Sequence, residues 1–356
     1  MPLQVDKLIT TSVDVQNSIT LNGLPLGNVP LGFGGGNISN NIALGIGALS
    51  GNTSGYVNIA IGSSYSGYYG TIPAPLQNNV YGAANIAIGI GVLGNNESGN
   101  QNTAIGTLAL ISNTTGNSNV AMGGSALQNN TTGYNNVAIG IRALYQNTTG
   151  FNNVAVGVTA LGKNTTGYYN VAVGYRALYS NTTGTYNVAM GYRALQSNID
   201  GNNNTSMGTF ALQDNQYGNV NVAIGSYALR NNTNGGYNVA VGNQALYTNT
   251  TGNSNVAMGY RALLQNTIGF RNVATGTNAL RYNTTGSTNT ALGYNVQSGD
   301  FSGSTILGAE ATATGDNQFV VGSSSVNSGP VTTESVSQTK TWSVIINGVP
   351  QKILLA

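Results

Sequence analysis

Asn170-Val171-Ala172-Val173-Gly174-Tyr175-Arg176-Ala177-Leu178-Tyr179-Ser180-Asn181-Thr182-Thr183-Gly184-Thr185-Tyr186 decides the fold, because this unit returns every 17 residues through most of the chain. Its opening Asn-x-Ala-x-Gly box recurs with the Asn at 102, 119, 136, 153, 170, 187, 204 (as Asn-Thr-Ser-Met-Gly), 221, 238, 255, 272 and 289. It is also present at 41, 58 and 85, with a longer step between the last two. A fixed period of this length marks stacked repeats that bury their apolar faces on one another. The chain therefore reads as an all-β repeat solenoid, a parallel β-roll or β-helix of 17-residue coils.

Within the box, β-branched residues or Met flank a central Ala, so they point to one side of a strand and Ala to the other. Ala on that second side implies a close neighbour. The Gly that follows, as at Gly140, Gly157 and Gly174, permits a bend or a close backbone approach. A second short apolar element comes next, for example Ala143-Leu144 and Ala177-Leu178, and suggests a second strand. The coil closes on Asn-Thr-Thr-Gly, at 113, 130, 147, 164, 181, 249 and 283. Asn bonding the backbone two residues on, with Gly supplying positive φ, is turn chemistry, and outweighs reading Asn-Thr-Thr as a glycosylation acceptor. Roughly fourteen coils at ~4.8 Å give a rod on the order of 70 Å long. The Asn columns should then form side-chain amide ladders along its axis.

Only 6% of the residues are charged and the net charge is +2, against about 25% charged in ordinary globular chains. That balance speaks against a basic nucleic-acid binder. The regular apolar positions speak against disorder. No cysteine and no histidine are present, which excludes disulfides, thiolate metal sites and the commonest general base. No catalytic, metal or cofactor residue is expected. The nine carboxylates, Asp6, Asp14, Glu97, Asp200, Asp214, Asp300, Glu310, Asp316 and Glu334, are mostly scattered, so a glycosidase pair is not legible. The N-terminus has no apolar signal region, and no run of 18 apolar residues would insert in a membrane. Release by cell lysis, as for a phage particle, would fit an extracellular role.

The Asn-x-Ala-x-Gly-x-x-Ala unit, over residues 40 to 322, resembles the head repeats of trimeric autotransporter adhesins and similar repeats in phage tail fibres. The resemblance implies a left-handed parallel β-roll packed as an intertwined homotrimer. Two departures matter. The common head period is shorter than 17, and this sequence shows neither the long heptad stalk nor the C-terminal membrane-anchor barrel of a complete autotransporter, which favours the fibre.

Outside the array, residues 1–40 alternate like strands up to Leu21 and then become Gly/Pro-rich from Asn22 to Gly36, as expected of an attachment segment with a hinge, or of an N-terminal cap. An insertion between Gly62 and Asn85, residues 63–84, supplies Tyr65, Tyr68, Tyr69 and Tyr81 as candidate receptor-binding rings. Arg142, Arg176, Arg193 and Arg261 share one coil position, while Tyr56, Tyr134, Phe151, Tyr168 and Phe270 follow the turn Gly. Together they are candidates for a cationic and aromatic surface that meets glycan. Residues 304–308 and 318–322 echo the box at shorter steps and should taper the roll. In residues 323–356, two apolar runs around Asn347-Gly348 read as a hairpin tip carrying the lone tryptophan, Trp342, another candidate contact.

These features point to a non-enzymatic virion fibre, on tail or capsid. It would attach to other virion proteins through the N-terminal segment and meet a host-surface glycan with the tip or the Tyr-rich loop. The alternative is a bacterial trimeric surface adhesin head. Ice binding ranks lower, because the Thr pairs sit at a turn rather than on a flat Thr-x-Thr face.

Overall fold

A computed structural model describes residues 34–38, 40–67 and 70–323, together with the backbone of 20–21, 24–25, 31–32, 340–346 and 349–355. The chain winds into a parallel β-solenoid of about 16 coils of 17 residues. Each coil contributes one three-residue strand, such as Val154–Val156, Val171–Val173 and Val188–Met190. Neighbouring strands run parallel and pair like residue with like, Ala155 with Ala172 and Ala172 with Ala189. At ~4.8 Å per coil the rod is about 75 Å long.

Because strand side chains alternate, the central Ala of each box points into the lumen and is fully buried, while its neighbours point outward. The opposite wall supplies Ala177 and Leu178, also fully buried, and their equivalents in the other coils. The core is a narrow column of two alanines and one leucine per turn. A small residue leaves room for Leu across so thin a lumen: where Ser206 replaces Ala opposite Leu212, its hydroxyl donates to the Ala211 carbonyl at 2.7 Å.

The opposite wall is not the second strand that the Ala-Leu pair suggested. It is a run of turns in which Arg176 and Leu178 both take left-handed backbone, φ 53° and 52°. That conformation aims the Leu178 N–H along the rod, where it donates to the Ala194 carbonyl at 2.9 Å. The wall is thus cross-linked from coil to coil without being a strand. Left-handed backbone costs an L-residue roughly 1–2 kcal/mol. Leu, branched at γ, bears it better than a β-branched side chain. Leu178→Ile, although isosteric, is therefore expected to cost about 2 kcal/mol or more, and Leu178→Met less than about 1.5 kcal/mol. Thermal melts of the two variants decide this, and equal losses would contradict it.

The extra residues between Gly62 and the next box leave the coil sideways. Tyr65–Gly67 and Gly70–Ile72 form a short antiparallel hairpin. From Pro75 the chain is back in register: Leu49 N–H donates to the Pro75 carbonyl at 3.0 Å, Leu76 fills the core, and Asn79 joins the amide column.

Both ends depart from the period. Leu31–Gly32 pairs antiparallel with Ala43–Leu44, and the Gly35 N–H donates to Leu49 O at 2.9 Å, so this piece packs on the first coil. At the other end, strands Thr305–Leu307 and Phe319–Val321 continue the ladder at shorter steps. Beyond them Lys340–Ile346 and Val349–Leu355 pair as an antiparallel hairpin around Asn347-Gly348.

Where the coils shorten, a carboxylate substitutes for a missing carbonyl. In regular coils the turn Thr donates to the equivalent residue one coil on, as Thr165 N–H does to Thr182 O at 3.0 Å. Asp300 instead accepts from Thr284 N–H (2.6 Å), Thr284 Oγ1 (2.6 Å) and Thr285 N–H (3.0 Å). Burial alone would raise the Asp300 pKa, but the bonds from Thr284, Thr285 and Gly286 outweigh it and hold the carboxyl below its ordinary value. A depressed folded pKa gives stabilisation that is complete above the unfolded pKa and is lost as pH falls through the folded one. Hydrogen-exchange protection at Thr284 and Thr285 is therefore expected to drop on acidification below the ordinary carboxylate range. In Asp300→Asn that pH dependence should vanish.

Candidate binding faces

Two buried amide columns fix the geometry of every face. Asn170 Oδ1 accepts from both the backbone N–H (3.0 Å) and the side-chain Nδ2 (3.2 Å) of Asn187, one coil on. Its own Nδ2 donates to Asn153 Oδ1 (3.2 Å) and to Gly184 O (2.8 Å). The turn Asn181 repeats the pattern, reaching Asn164 Oδ1 at 2.8 Å and the same Gly184 O at 3.0 Å. The expected amide ladders are present, and each coil's Gly carbonyl ties them together. Two details differ from the sequence reading. Asn181 bonds the backbone three residues on rather than two, and Gly184 is required for space rather than for positive φ. A Cβ at Gly184 would overlap Asn181 Oδ1 and Gly201 O.

The outward side of the strands forms a flat apolar stripe along the whole rod. Met122, Ile139, Met190, Met207, Ile224 and Met258 occupy one of its columns, each 39–45% exposed. All-parallel sheets occur almost only with both faces covered. A contiguous apolar patch of this length marks an interaction surface.

On the side formed by the turn wall lies a second, chemically different stripe. The four expected arginines lie on it, and each guanidinium stands by an aromatic ring. Arg142 lies 5.7 Å from the Tyr145 centroid, Arg176 5.5 and 5.3 Å from Tyr175 and Tyr179, Arg193 5.3 Å from Tyr192, and Arg261 4.8 Å from Tyr260. Lys163, Arg230 and Arg281, which stand at other places in their coils, join the same stripe over Tyr179, over Phe210, Tyr227 and Tyr247, and over Tyr282. Rings also stack on one another, Tyr175 on Tyr192 at 5.4 Å and Phe210 on Tyr227 at 5.2 Å. Asp214 faces one of these cations: burial raises its pKa and Arg230 opposes that.

The aromatics after the turn Gly do not stack on this arginine column. Tyr134, Phe151 and Tyr168 stack on each other at 4.8–4.9 Å in a column of their own. In other coils the same place holds Asn, and Asn100 N–H donates to Asn117 Oδ1 at 2.8 Å instead. The combined surface drawn from sequence is therefore two separate ladders.

Of the insertion tyrosines, Tyr65 stands on the hairpin, 54% exposed, whereas Tyr81 lies within the resumed coil, 66% exposed, on an open groove of about 760 Å³ lined by Asn78, Val80, Asn95, Glu97 and Thr114. Tyr68 and Tyr69 lie outside the described residues. Trp342 lies in the C-terminal hairpin, paired opposite Ile353.

The fold and these faces define a rod-forming β-solenoid repeat protein. No family model matches the chain, and no curated protein matches it. Among the described residues no group of three or more His, Cys, Asp or Glu could hold a metal ion, and no helix is long and apolar enough to cross a membrane.

Proposed function

We propose that the chain is a non-enzymatic structural fibre of a virion, on phage tail or capsid, which assembles as a homotrimer and meets the host surface along its sides or through its tip. The observation that carries this reading is the apolar outward face of the parallel coil strands. A second and third copy of the same chain cover it best, because their columns have the same rise per coil and interdigitate at any length. Residues 1–40 would join other virion proteins. Ice binding is disfavoured further by the turn Thr column, where the hydroxyls of Thr114, Thr131 and Thr148 already donate to the carbonyls of the next coil at 3.1 Å.

Light scattering on the full chain tests the assembly: three copies of 36.4 kDa give a mass of 3 × 36.4 = 109.2 kDa, and a monomer would refute it. Charged substitutions Met190→Glu and Met207→Glu are expected to dissociate the trimer. Imaging the intact particle with labelled chain, and binding to host cells, test the role. A bacterial trimeric adhesin head is the second reading, favoured by the same face. Label found on a bacterial envelope rather than on particles would select it.

A further inference from the structure

We propose that the cationic and aromatic stripe is a longitudinal binding track for an acidic polysaccharide whose sugars carry carboxylates, lying parallel to the rod. This deepens the reading of the rod as a surface-binding fibre by naming the ligand class.

The charge distribution is the first argument. In the coils from the box at Asn136 to that at Asn272 the stripe gathers seven of the chain's eleven cations, in a chain whose net charge is only +2. Charge is scarce here, at 6% of residues, so this concentration on one side of successive coils is not background. The second argument is that the cations are held but not neutralised. Aromatic rings position each one, and Arg230, the cation that faces Asp214, also donates to Gln213 and Tyr247. Nε of Arg176, Arg193 and Arg281 is buried, and Nε of Arg230 and Arg261 donates to Gln213 and Gln244 one coil back at 2.9 and 2.8 Å, so each of these guanidiniums is left to meet a ligand with its terminal nitrogens. Guanidinium groups anchored this way keep a planar donor fork that matches a carboxylate in two parallel hydrogen bonds.

The third argument is spacing. The cations fall in seven of nine successive coils, from the box at Asn136 to that at Asn272. At ~4.8 Å per coil this is one charge per roughly 5–6 Å over about 40 Å. Duplex nucleic acid carries a charge per ~1.7 Å, far denser than this track. A polyuronate carries a charge per ring and is linear, as the track is. Tyr175 and Tyr192, which stack along the axis, and Tyr260 and Tyr282, which stand beside Arg261 and Arg281, are 39–50% exposed and bring ring edges and hydroxyls to the track. Those hydroxyls are donors and acceptors for sugar hydroxyls beside each anion.

The experiment measures binding of the full-length chain to polygalacturonate, dextran sulfate, neutral dextran and duplex DNA at low and moderate salt. The comparison is with the fourfold variant Arg142→Gln, Arg176→Gln, Arg193→Gln, Arg261→Gln. Glutamine is tolerated at this place, because Gln244 already occupies it with φ 58°. An unchanged melting temperature would show that the fold is intact. Expected are salt-sensitive binding to polygalacturonate, none to dextran, and a loss of at least tenfold in the variant. A fourfold Arg→Lys variant should recover only part of the affinity. No polygalacturonate binding, binding unaffected by the Arg→Gln changes, or equal or tighter binding of dextran sulfate or DNA would each overturn the proposal. Host-cell binding measured on the same proteins separates the two readings. Cell binding that survives in the variant defeats the track alone, whereas polygalacturonate binding without any cell binding defeats the adhesive fibre alone.

Discussion

Asn170→Ala is expected to cost about 4 kcal/mol and to open the rod locally rather than evenly. The substitution deletes Oδ1, the acceptor for both the backbone N–H and the Nδ2 of Asn187. The Asn187 backbone N–H is left without an acceptor and one of its two Nδ2 hydrogens loses its own, Gly201 O keeping the other, each loss costing about 1–3 kcal/mol. Gly184 O keeps its bond from Asn181, so the turn itself is expected to hold. In a stack whose stability is a sum of coil and interface terms, the damage stays near the break. Hydrogen exchange should rise around Ala172 and Ala189 and stay unchanged some coils away. The thermal transition should broaden or split. A uniform rise along the rod would contradict the nearest-neighbour picture. Asn170→Asp is expected to be worse, since it sets a buried charge against the Gly184 carbonyl and Asn153 Oδ1.

Gly174→Ala is the second large effect, with an expected loss of about 3–5 kcal/mol. Gly174 sits at φ 131°, a region that side chains other than glycine rarely enter, and strain of that kind costs about 1–3 kcal/mol. A Cβ there would also stand 2.5 Å from Gly191 O, which the fixed rise between coils keeps in place. Overpacking of this kind adds about 1–3 kcal/mol more. The control is built into the next place in the coil. A Cβ at Gly124 meets nothing within 4 Å, so Gly124→Ala should be neutral or stabilising by up to about 1 kcal/mol. Denaturant melts of the two variants test the contrast, and similar losses in both would refute it.

The solenoid and its amide columns were legible in the sequence because a strict period forces like residues into like places, and an Asn that recurs at a fixed place can only stack on itself. The bend at Gly174 was legible for the same reason. The turn wall was not: nothing in the letters Ala177-Leu178 signals left-handed backbone, which arises from the need to carry hydrogen bonds around a narrow corner. The role of Gly184 was misjudged because glycine serves both for φ and for space, and only the neighbouring Asn181 amide distinguishes them. Of the cations on the stripe, Arg142, Arg176, Arg193 and Arg261 share one column, which the period alone makes visible. Lys163, Arg230 and Arg281 were missed because they sit in other columns, which only the cross-section of the coil brings onto the same side. A scan for charge at three or four residues from the arginine column would have found them.

The hairpin at Tyr65–Ile72 shows how such a rod can vary in length. Ten additional residues there, a step of 27 between the boxes at Asn58 and Asn85 less the usual 17, are extruded at a corner while the pairing of Ile59–Ile61 with Ile86–Ile88 is undisturbed. Duplication or deletion of one whole unit would change the reach of the fibre by a single fixed increment of about 4.8 Å. Any other insertion must bulge sideways. The gene can therefore count out its product's span in integers, and tune reach separately from what the sides display.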